Sequence, residues 1–350
     1  MAALHRSVGA LQLFLHKRFC RSFSTNLPKE EPPLMVNEIL HQLAIKDGQT
    51  VLDMTFGDGH HTEAVLQSNG SVNVIALDRD PCAFEKANAL ASKYPGRVTP
   101  LLGRFSDLPS LLTPLGVKRT SLDAIILDVG CSLLQRSDAG RGFSHETDGP
   151  LDMRMDGPDA SGSITAQDVL MKVDEYDLGR ILRIYGGEEQ SKKIAKSIIS
   201  CRYTFEPLQS TLQLSDFLKG VCTEKSSKVV KNVFYALRVF VNNEFNELNY
   251  AMLLAELYLK KGGRIASLTF NQLEDTIVKR HITGNVLENN PNPVPLKYYS
   301  RSYSLTSDEV NELRCSQWSP LSKHVVTATG CNKSENYRVK MAKLRGAAKL

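Results

Sequence analysis

Val51-Leu52-Asp53-Met54-Thr55-Phe56-Gly57-Asp58-Gly59-His60-His61 carries three signals in one short stretch. Val51–Thr55 is a compact apolar run that predicts a strand. Gly57-Asp58-Gly59 predicts a tight turn, and a helix is predicted from about His61. Glycines in such a turn let the backbone come close to a ligand and bring its amides to bear at the next helix N-terminus. Working outward, Val72–Asp78 reads as a second strand. Its helix is announced by Asp80 as cap and Pro81 at the first helical position. Arg97–Leu102 and Ala124–Asp128 supply two more strands, and residues 33–45 a preceding helix. From about 136 to 230 no strand pattern is visible. Residues 164–220 read as helical with a break at Gly186-Gly187, which points to an inserted domain. A long helix over Val233–Lys261 closed by Gly262-Gly263, a strand at Arg264–Phe270, a helix at Glu274–His281 and a short strand at Val325–Ala328 complete the pattern. Repeated strand–helix units imply an α/β fold, a parallel sheet with helices on both faces.

Ligands in such sheets bind beyond the carboxyl ends of the strands. Asp78 closes the second strand about twenty residues after the glycine turn, where a carboxylate can accept hydrogen bonds from both hydroxyls of a ribose. Asp128 closes the fourth, where an adenine edge or a reacting centre belongs. A dinucleotide-dependent dehydrogenase shares the first two features. Its G-x-G-x-x-G signature, however, would need glycine at position 62, which is Thr62.

A second stretch is far more specific. Arg141-Gly142-Phe143-Ser144, followed by Asp148-Gly149-Pro150-Leu151-Asp152-Met153-Arg154-Met155-Asp156, closely resembles the MraW/RsmH family of 16S rRNA cytidine methyltransferases. The likeness extends to Thr55–His61, Asp78–Pro81, Gly187-Glu188-Glu189, Ala236-Leu237-Arg238, Val241-Asn242-Asn243-Glu244, Leu273-Glu274-Asp275, Ile277-Val278-Lys279-Arg280 and Ala342-Lys343-Leu344-Arg345. The resemblance implies a class I S-adenosylmethionine-dependent methyltransferase sheet, Rossmann-like, with an inserted helical domain. It implies methylation of the exocyclic N4 of a cytidine in small-subunit rRNA. The family's cofactor positions fall on Gly59, His60, His61, Asp78, Phe105, Asp128 and Gln135. The expected division is a methyltransferase domain over 30–135 and 231–332, a helical substrate-binding insertion over 136–230 and a basic tail over 333–350. Departures stand out: the family's G-G-H is Gly59-His60-His61, its S-F-H-S-L-E-D is Thr269-Phe270-Asn271-Gln272-Leu273-Glu274-Asp275, and its H-x-P-V is Glu31-Pro32-Pro33-Leu34. The departures at His60, Asn271 and Gln272 motivate an alternative, a catalytically impaired mitochondrial ribosome-assembly factor that kept the methyltransferase fold.

Cytosine's amine is a poor nucleophile, because its lone pair is delocalised into the ring, so alignment with the donor methyl must supply much of the rate. Asp128 is the candidate acceptor for an amine hydrogen. Asp128-Val129-Gly130-Cys131-Ser132 also resembles the strand-four loop of carbon-5 cytosine methyltransferases, which use a cysteine nucleophile. Those enzymes usually carry a second cysteine near strand five, and Leu268-Thr269-Phe270 has none. Phosphate contacts from basic side chains dominate RNA affinity. The candidates for substrate are Arg141, Arg154, Arg238, Asn242, Asn271 and the basic tail, with ion pairs inside the fold as the other reading of Arg154 and Arg238. Lys192, Lys193 and Lys196 read as a solvated helix face.

The chain's net charge of +5 is unevenly placed. Residues 1–29 hold five basic residues and no acid, residues 333–350 hold six and one, and the body between is net acidic. The acid-free start, with Leu4, Val8, Leu11 and Leu15 on one helical face, fits a mitochondrial transit peptide over residues 1–24. Arg21-Ser22-Phe23-Ser24 resembles a matrix-protease site cutting after Phe23. The predicted partner is therefore mitochondrial small-subunit rRNA or a pre-ribosomal subunit in the matrix. No apolar run approaches the roughly 20 residues of a membrane span. Seven scattered cysteines form no C-x-x-C or Cys/His cluster, so neither a structural metal nor a disulfide framework is predicted.

Overall fold

The computed structural model describes residues 34–160, 162–204, 207–222, 226–283, 317–328 and 337–350. The predicted leader and Glu31-Pro32-Pro33 lie outside the described residues.

Four parallel strands form the centre: β1 (Thr50–Asp53), β2 (Asn73–Asp78), β3 (Val98–Leu102) and β4 (Leu122–Asp128). β5 (Leu259–Thr269) extends them in parallel beside β4. The far edge is built from β6 (Trp318–Pro320), the two-residue β7 (Val326–Thr327) and β8 (Lys343–Lys349). The order is β3-β2-β1-β4-β5-β8-β6, with β7 on β8 and β8 antiparallel to its neighbours. This is the α/β methyltransferase-type sheet that the resemblance implies. Strand side chains alternate between faces, and here both faces are buried. Leu52, Ile75, Leu77, Ile125 and Leu127 enter one core, while Val51, Val74, Ala76, Ala124 and Ile126 enter the other. Strands buried on both sides read as continuous apolar runs, which is why β1, β2 and β4 were legible.

The second core packs α1 (Val36–Leu43), α2 (His60–Ser68) and α3 (Pro81–Lys93) against the sheet. The start of α3 is as predicted. Asp80 Oδ1 accepts the amide of Cys82 at 2.9 Å, and Pro81 follows. α4 (Leu108–Leu112) precedes β4, and α5 (Leu133–Ser137) follows it.

Between β4 and β5 the chain builds the helical insertion. α6 (Ala166–Lys172), α7 (Glu175–Gly186), α8 (Ser191–Thr204) and α9 (Thr211–Val221) pack on one another and on α10 (Ser226–Asn242). Polar residues fix the starts: Thr165 with Asp168, Asp174, and Ser210 with Gln213 satisfy the first free amides of α6, α7 and α9. Lys192, Lys193 and Lys196 form an exposed stripe on α8. The apolar faces of these helices are continuous with the first sheet core, so the insertion and the sheet share one interior.

Three expectations are corrected. The single helix over Val233–Lys261 is two, α10 and α11 (Glu244–Tyr258), broken at Asn243, whose φ of 52° is one that asparagine tolerates better than most residues. Gly262-Gly263 closes no helix. The pair lies inside β5, where the register against β4 shifts between Leu122 and Ala124, a bulge that admits extra residues. Most of the basic C-terminal segment is not a tail. β8 is inserted between β5 and β6, with Leu344 and Ala347 fully buried. Arg345 pairs with Asp275 at 2.6 Å and Lys343 reaches the same carboxylate at 3.6 Å, both across to α12 (Gln272–Thr283).

Candidate active site

A cleft of about 1230 Å³, counting its open mouth, lies beyond the carboxyl ends of β1, β2 and β4. This is the switch point where the chain order in the sheet reverses, the usual ligand position in such folds. Gly59, His60, His61, Asp78, Phe105, Asp128 and Gln135 all line it. The structure thus brings together the seven positions that the resemblance assigned to a cofactor.

Each wall follows from local chemistry. At the end of β1, Asp53 is wholly buried and accepts the Thr55 amide at 3.0 Å and the Thr62 hydroxyl at 2.6 Å. Burial pushes this carboxyl above its ordinary range. The two bonds tie the end of the strand to the first turn of α2 and hold the glycine turn between them. Gly59 has φ 84°, and a Cβ there would lie 2.6 Å from the Phe56 ring, so no other residue fits without displacement. His60 opens α2 and is not among the described residues with positive φ. The backbone at this departure therefore does not demand the family's glycine.

Asp78 Oδ2 accepts the Gly57 amide at 2.7 Å and Oδ1 accepts the Asp80 amide at 2.8 Å. Burial dominates these bonds and pushes the carboxyl up to about 7. Beside it, Asp156 is shared by Arg79, at 2.6 Å, and Arg104. Burial alone would raise the Asp156 carboxyl, but the two guanidinium groups outweigh it and hold the group at about 2. Sequence reasoning missed Arg79 and Arg104. The last acid of the Asp148–Asp156 motif, needing counterions, was the available signal.

At the end of β4 the Asp128 amide donates to the Thr55 hydroxyl at 2.6 Å. Its carboxylate faces His61, with Nε2 3.5 Å from Oδ2, and Oδ1 is buried with no hydrogen-bond partner among the described residues. Such an oxygen beside an open cleft is a natural acceptor for a ligand N–H or O–H. Cys131 also lines the cleft, with its Sγ 3.2 Å from Arg238 Nη1. Ser132 and Gln135 cap α5 reciprocally, and Gln135 Nε2 donates to Asp80 Oδ2 at 2.9 Å.

The proposed substrate residues are elsewhere, and as surface contacts they are corrected. Arg141 is buried. It pairs with Asp80 at 2.9 Å and donates to the carbonyls of Arg154 and Met155 at 3.0 and 3.1 Å. Arg154 is held by Asp152 at 2.8 and 2.6 Å. Arg238 makes a two-bond pair with Glu244, at 2.8 and 2.9 Å, over the ring of Tyr235, whose hydroxyl donates to Glu274. Asn242 accepts the Met155 amide at 2.8 Å and donates to the Met153 carbonyl at 2.7 Å. Asn271 accepts the Leu273 amide at 2.9 Å at the start of α12, and Gln272 accepts from Lys343. None of these six lines the cleft. The reason is energetic: a guanidinium taken out of water needs a carboxylate and carbonyls around it, and Asp80, Asp152 and Glu244 supply the carboxylates while the motif's backbone supplies carbonyls. The motif is a clasp, not a contact surface. A Cβ at Gly142 would strike the Pro150 carbonyl, and one at Gly149 the Ala139 carbonyl.

The cleft suits a nucleoside-bearing methyl donor. It offers a half-buried carboxylate for a ribose at Asp78, an aromatic face at Phe105, a glycine cradle that a Cβ would fill at Gly59, and an unsatisfied acceptor at Asp128.

Comparison with known proteins agrees. Residues 30–350 match the MraW methylase family. The chain is 42% identical to the Drosophila melanogaster "Probable methyltransferase-like protein 15 homolog" over 91% of this chain and 92% of that one. It is 41% identical to the Mus musculus "12S rRNA N(4)-cytidine methyltransferase METTL15" over 91% and 82% of the two chains. It is also 41% identical to part of the Culex quinquefasciatus "Putative receptor-type tyrosine-protein phosphatase mosPTP-1", of which it spans only 22%. With a match over nearly its whole length and such relatives on either side, the chain belongs to the MraW methylase family.

Proposed function

We propose that this protein transfers a methyl group from S-adenosylmethionine to the exocyclic N4 of a cytidine in mitochondrial small-subunit rRNA. The observation that carries the reading is the convergence of Asp78, Gly59 and Asp128 on one cleft at the switch point of the sheet. The printed activity of the murine relative supplies the substrate class. The leader over residues 1–24 supports action in the matrix, on rRNA or a pre-ribosomal subunit.

The bound cofactor contributes an electrophilic methyl on a sulfonium. This chain's residues do the rest. Asp78 would accept the ribose hydroxyls, Phe105 would offer its ring to the base, and the Gly57–Gly59 backbone would leave room for the donor. Gln135 and Asp80 brace the wall between Asp78 and α5. Asp128 accepts a hydrogen of the incoming amine, which turns the nitrogen lone pair toward the methyl. The sheet module (30–135 and 231–332, together with β8) builds most of this site, Met155 coming from the insertion (136–230), which is the proposed platform for RNA. The target base has to leave its stack to reach Asp128.

Asp128→Ala should abolish methylation at saturating S-adenosylmethionine, while Cys131→Ser should largely preserve it, because amine transfer needs no covalent adduct. Products are identified by mass spectrometry of digested rRNA. A 5-methylcytidine product, or a folded, cofactor-bound but inactive Cys131→Ser, would replace the amine mechanism by thiolate attack on the ring.

A further inference from the structure

His61 shares the cleft with Asp128, and its place among the cofactor positions does not explain why its ring faces that carboxylate. Its ring is 11% exposed, and Nε2 lies 3.5 Å from Asp128 Oδ2. Both partners are set by the same two residues of β1 and its turn. Asp53, through Thr62, fixes the first turn of α2 that carries His61, and the Thr55 hydroxyl accepts the Asp128 amide. Among the charged groups that face the imidazole are Asp128 from β4 and Asp53 from β1. A pair placed this way is more than packing. Contacts that serve catalysis are often long before substrate binds and tighten in the loaded complex.

We propose that His61 is a positioning residue that acts through Asp128, taking from its carboxylate the proton received from the methylated amine. The inference rests on the amine-transfer reading above. In the transfer, the N4 lone pair forms the new N–CH3 bond as the S–CH3 bond breaks, and that bond's electron pair stays on sulfur as a neutral thioether. The methylated nitrogen now carries one proton too many. That proton moves to Asp128, which becomes a neutral carboxylic acid. It then passes to His61 Nε2, which must enter the cycle unprotonated, with its own hydrogen on Nδ1. A carboxylate and an unprotonated nitrogen make no hydrogen bond, which accounts for 3.5 Å. The arriving proton creates the bond that closes the gap. The imidazolium returns the proton from Nε2 to water entering the cleft once the products have left, so the enzyme ends as it began.

The test is His61→Gln, which keeps a polar group of similar reach but cannot carry a proton. Three quantities are measured on the full chain with small-subunit rRNA: the S-adenosylmethionine Kd by calorimetry, the single-turnover rate at saturating cofactor and RNA, and the pH profile of that rate. At saturating cofactor, where any loss of affinity no longer counts, the rate should fall by about tenfold to a hundredfold, the lower part of what a positioned proton acceptor supplies. The wild-type rate should decline in acid, as His61 becomes protonated beforehand, and this limb should vanish in the variant. Adding His61→Gln to Asp128→Asn should cost little more, since residues acting as a unit are not additive. A rate within twofold of wild type, a loss lying wholly in Kd, or an unchanged acid limb overturns the proposal. If His61→Gln is unfolded by circular dichroism, His61→Asn decides by the same criteria. Absence of N4-methylcytidine with the wild-type protein would instead be failure of the parent reading, and it is seen before any variant is made.

Discussion

Arg141 separates two accounts of the family motif. If it contacted RNA, its loss would weaken binding and spare the fold. The structure places it 4% exposed against Asp80, itself 1% exposed. Replacing it by methionine keeps much of the volume and removes the charge. Asp80 would keep the Cys82 amide and the Gln135 amide group but lose its counterion, while the carbonyls of Arg154 and Met155 would lose a donor. Breaking a buried pair from one side costs ~3–5 kcal/mol, because an uncompensated charge is left behind. Solvent screening offers little discount at this burial. At ~2 °C per kcal/mol for a chain of this size, the melting temperature should fall by about 6–10 °C. Asp80→Asn together with Arg141→Met should recover part of the loss, since it removes the stranded carboxylate. The assay is thermal and urea unfolding of the single and double variants, with RNA affinity measured well below the transition at two salt concentrations. A variant that melts within 1 °C of wild type yet binds RNA less tightly, with a shallower salt dependence, would refute the clasp and restore the phosphate contact.

Asp78→Asn should weaken S-adenosylmethionine binding by roughly ten- to a hundredfold, read by calorimetry. Burial holds Asp78 at about 7, and ribose hydroxyls donate best to its ionised form. Binding should therefore release protons near neutral pH, and affinity should weaken as pH falls below about 7; equal heats in buffers of different ionisation enthalpy would contradict this. Gly142→Ala should give little soluble protein, since φ is 72° and the added carbon meets a backbone carbonyl. Gly48→Ala, also at positive φ but in open space, should express normally and lose only about 1 kcal/mol. His281 is buried, and burial pushes its imidazole down to about 4. The unfolded chain therefore binds the proton first, near pH 6.5, and stability should drain as pH falls from there toward 4, by ~3 kcal/mol in all. Urea midpoints across that range should show the loss in wild type and a shallower one in His281→Gln.

What the sequence by itself determined is what short-range chemistry dictates. The apolar runs of β1, β2 and β4, the glycine turn before α2, and Asp80-Pro81 at the start of α3 are each decided within a few residues. Asp78 and Asp128 were legible because they end such runs, and a strand end in this architecture is a ligand position. The Arg141–Asp156 motif disclosed kinship, but its composition could not say which way its charges face. Only the tertiary structure decided that. Arg141, Arg154 and Arg238 meet Asp80, Asp152 and Glu244 inside the fold, and two of those pairs lie far apart or on separate elements in the chain. β8 was hidden for the same reason. Lys343-Leu344-Arg345-Gly346-Ala347 looks like a solvated basic end until Asp275 of α12 neutralises it and β5 and β6 flank it. The break at Asn243 and the bulge at Gly262-Gly263 also escaped, since neither interrupts the apolar pattern. A charge has no direction in a sequence; its direction is fixed by the partner that folding brings to it, because a buried ion without one is too costly to keep.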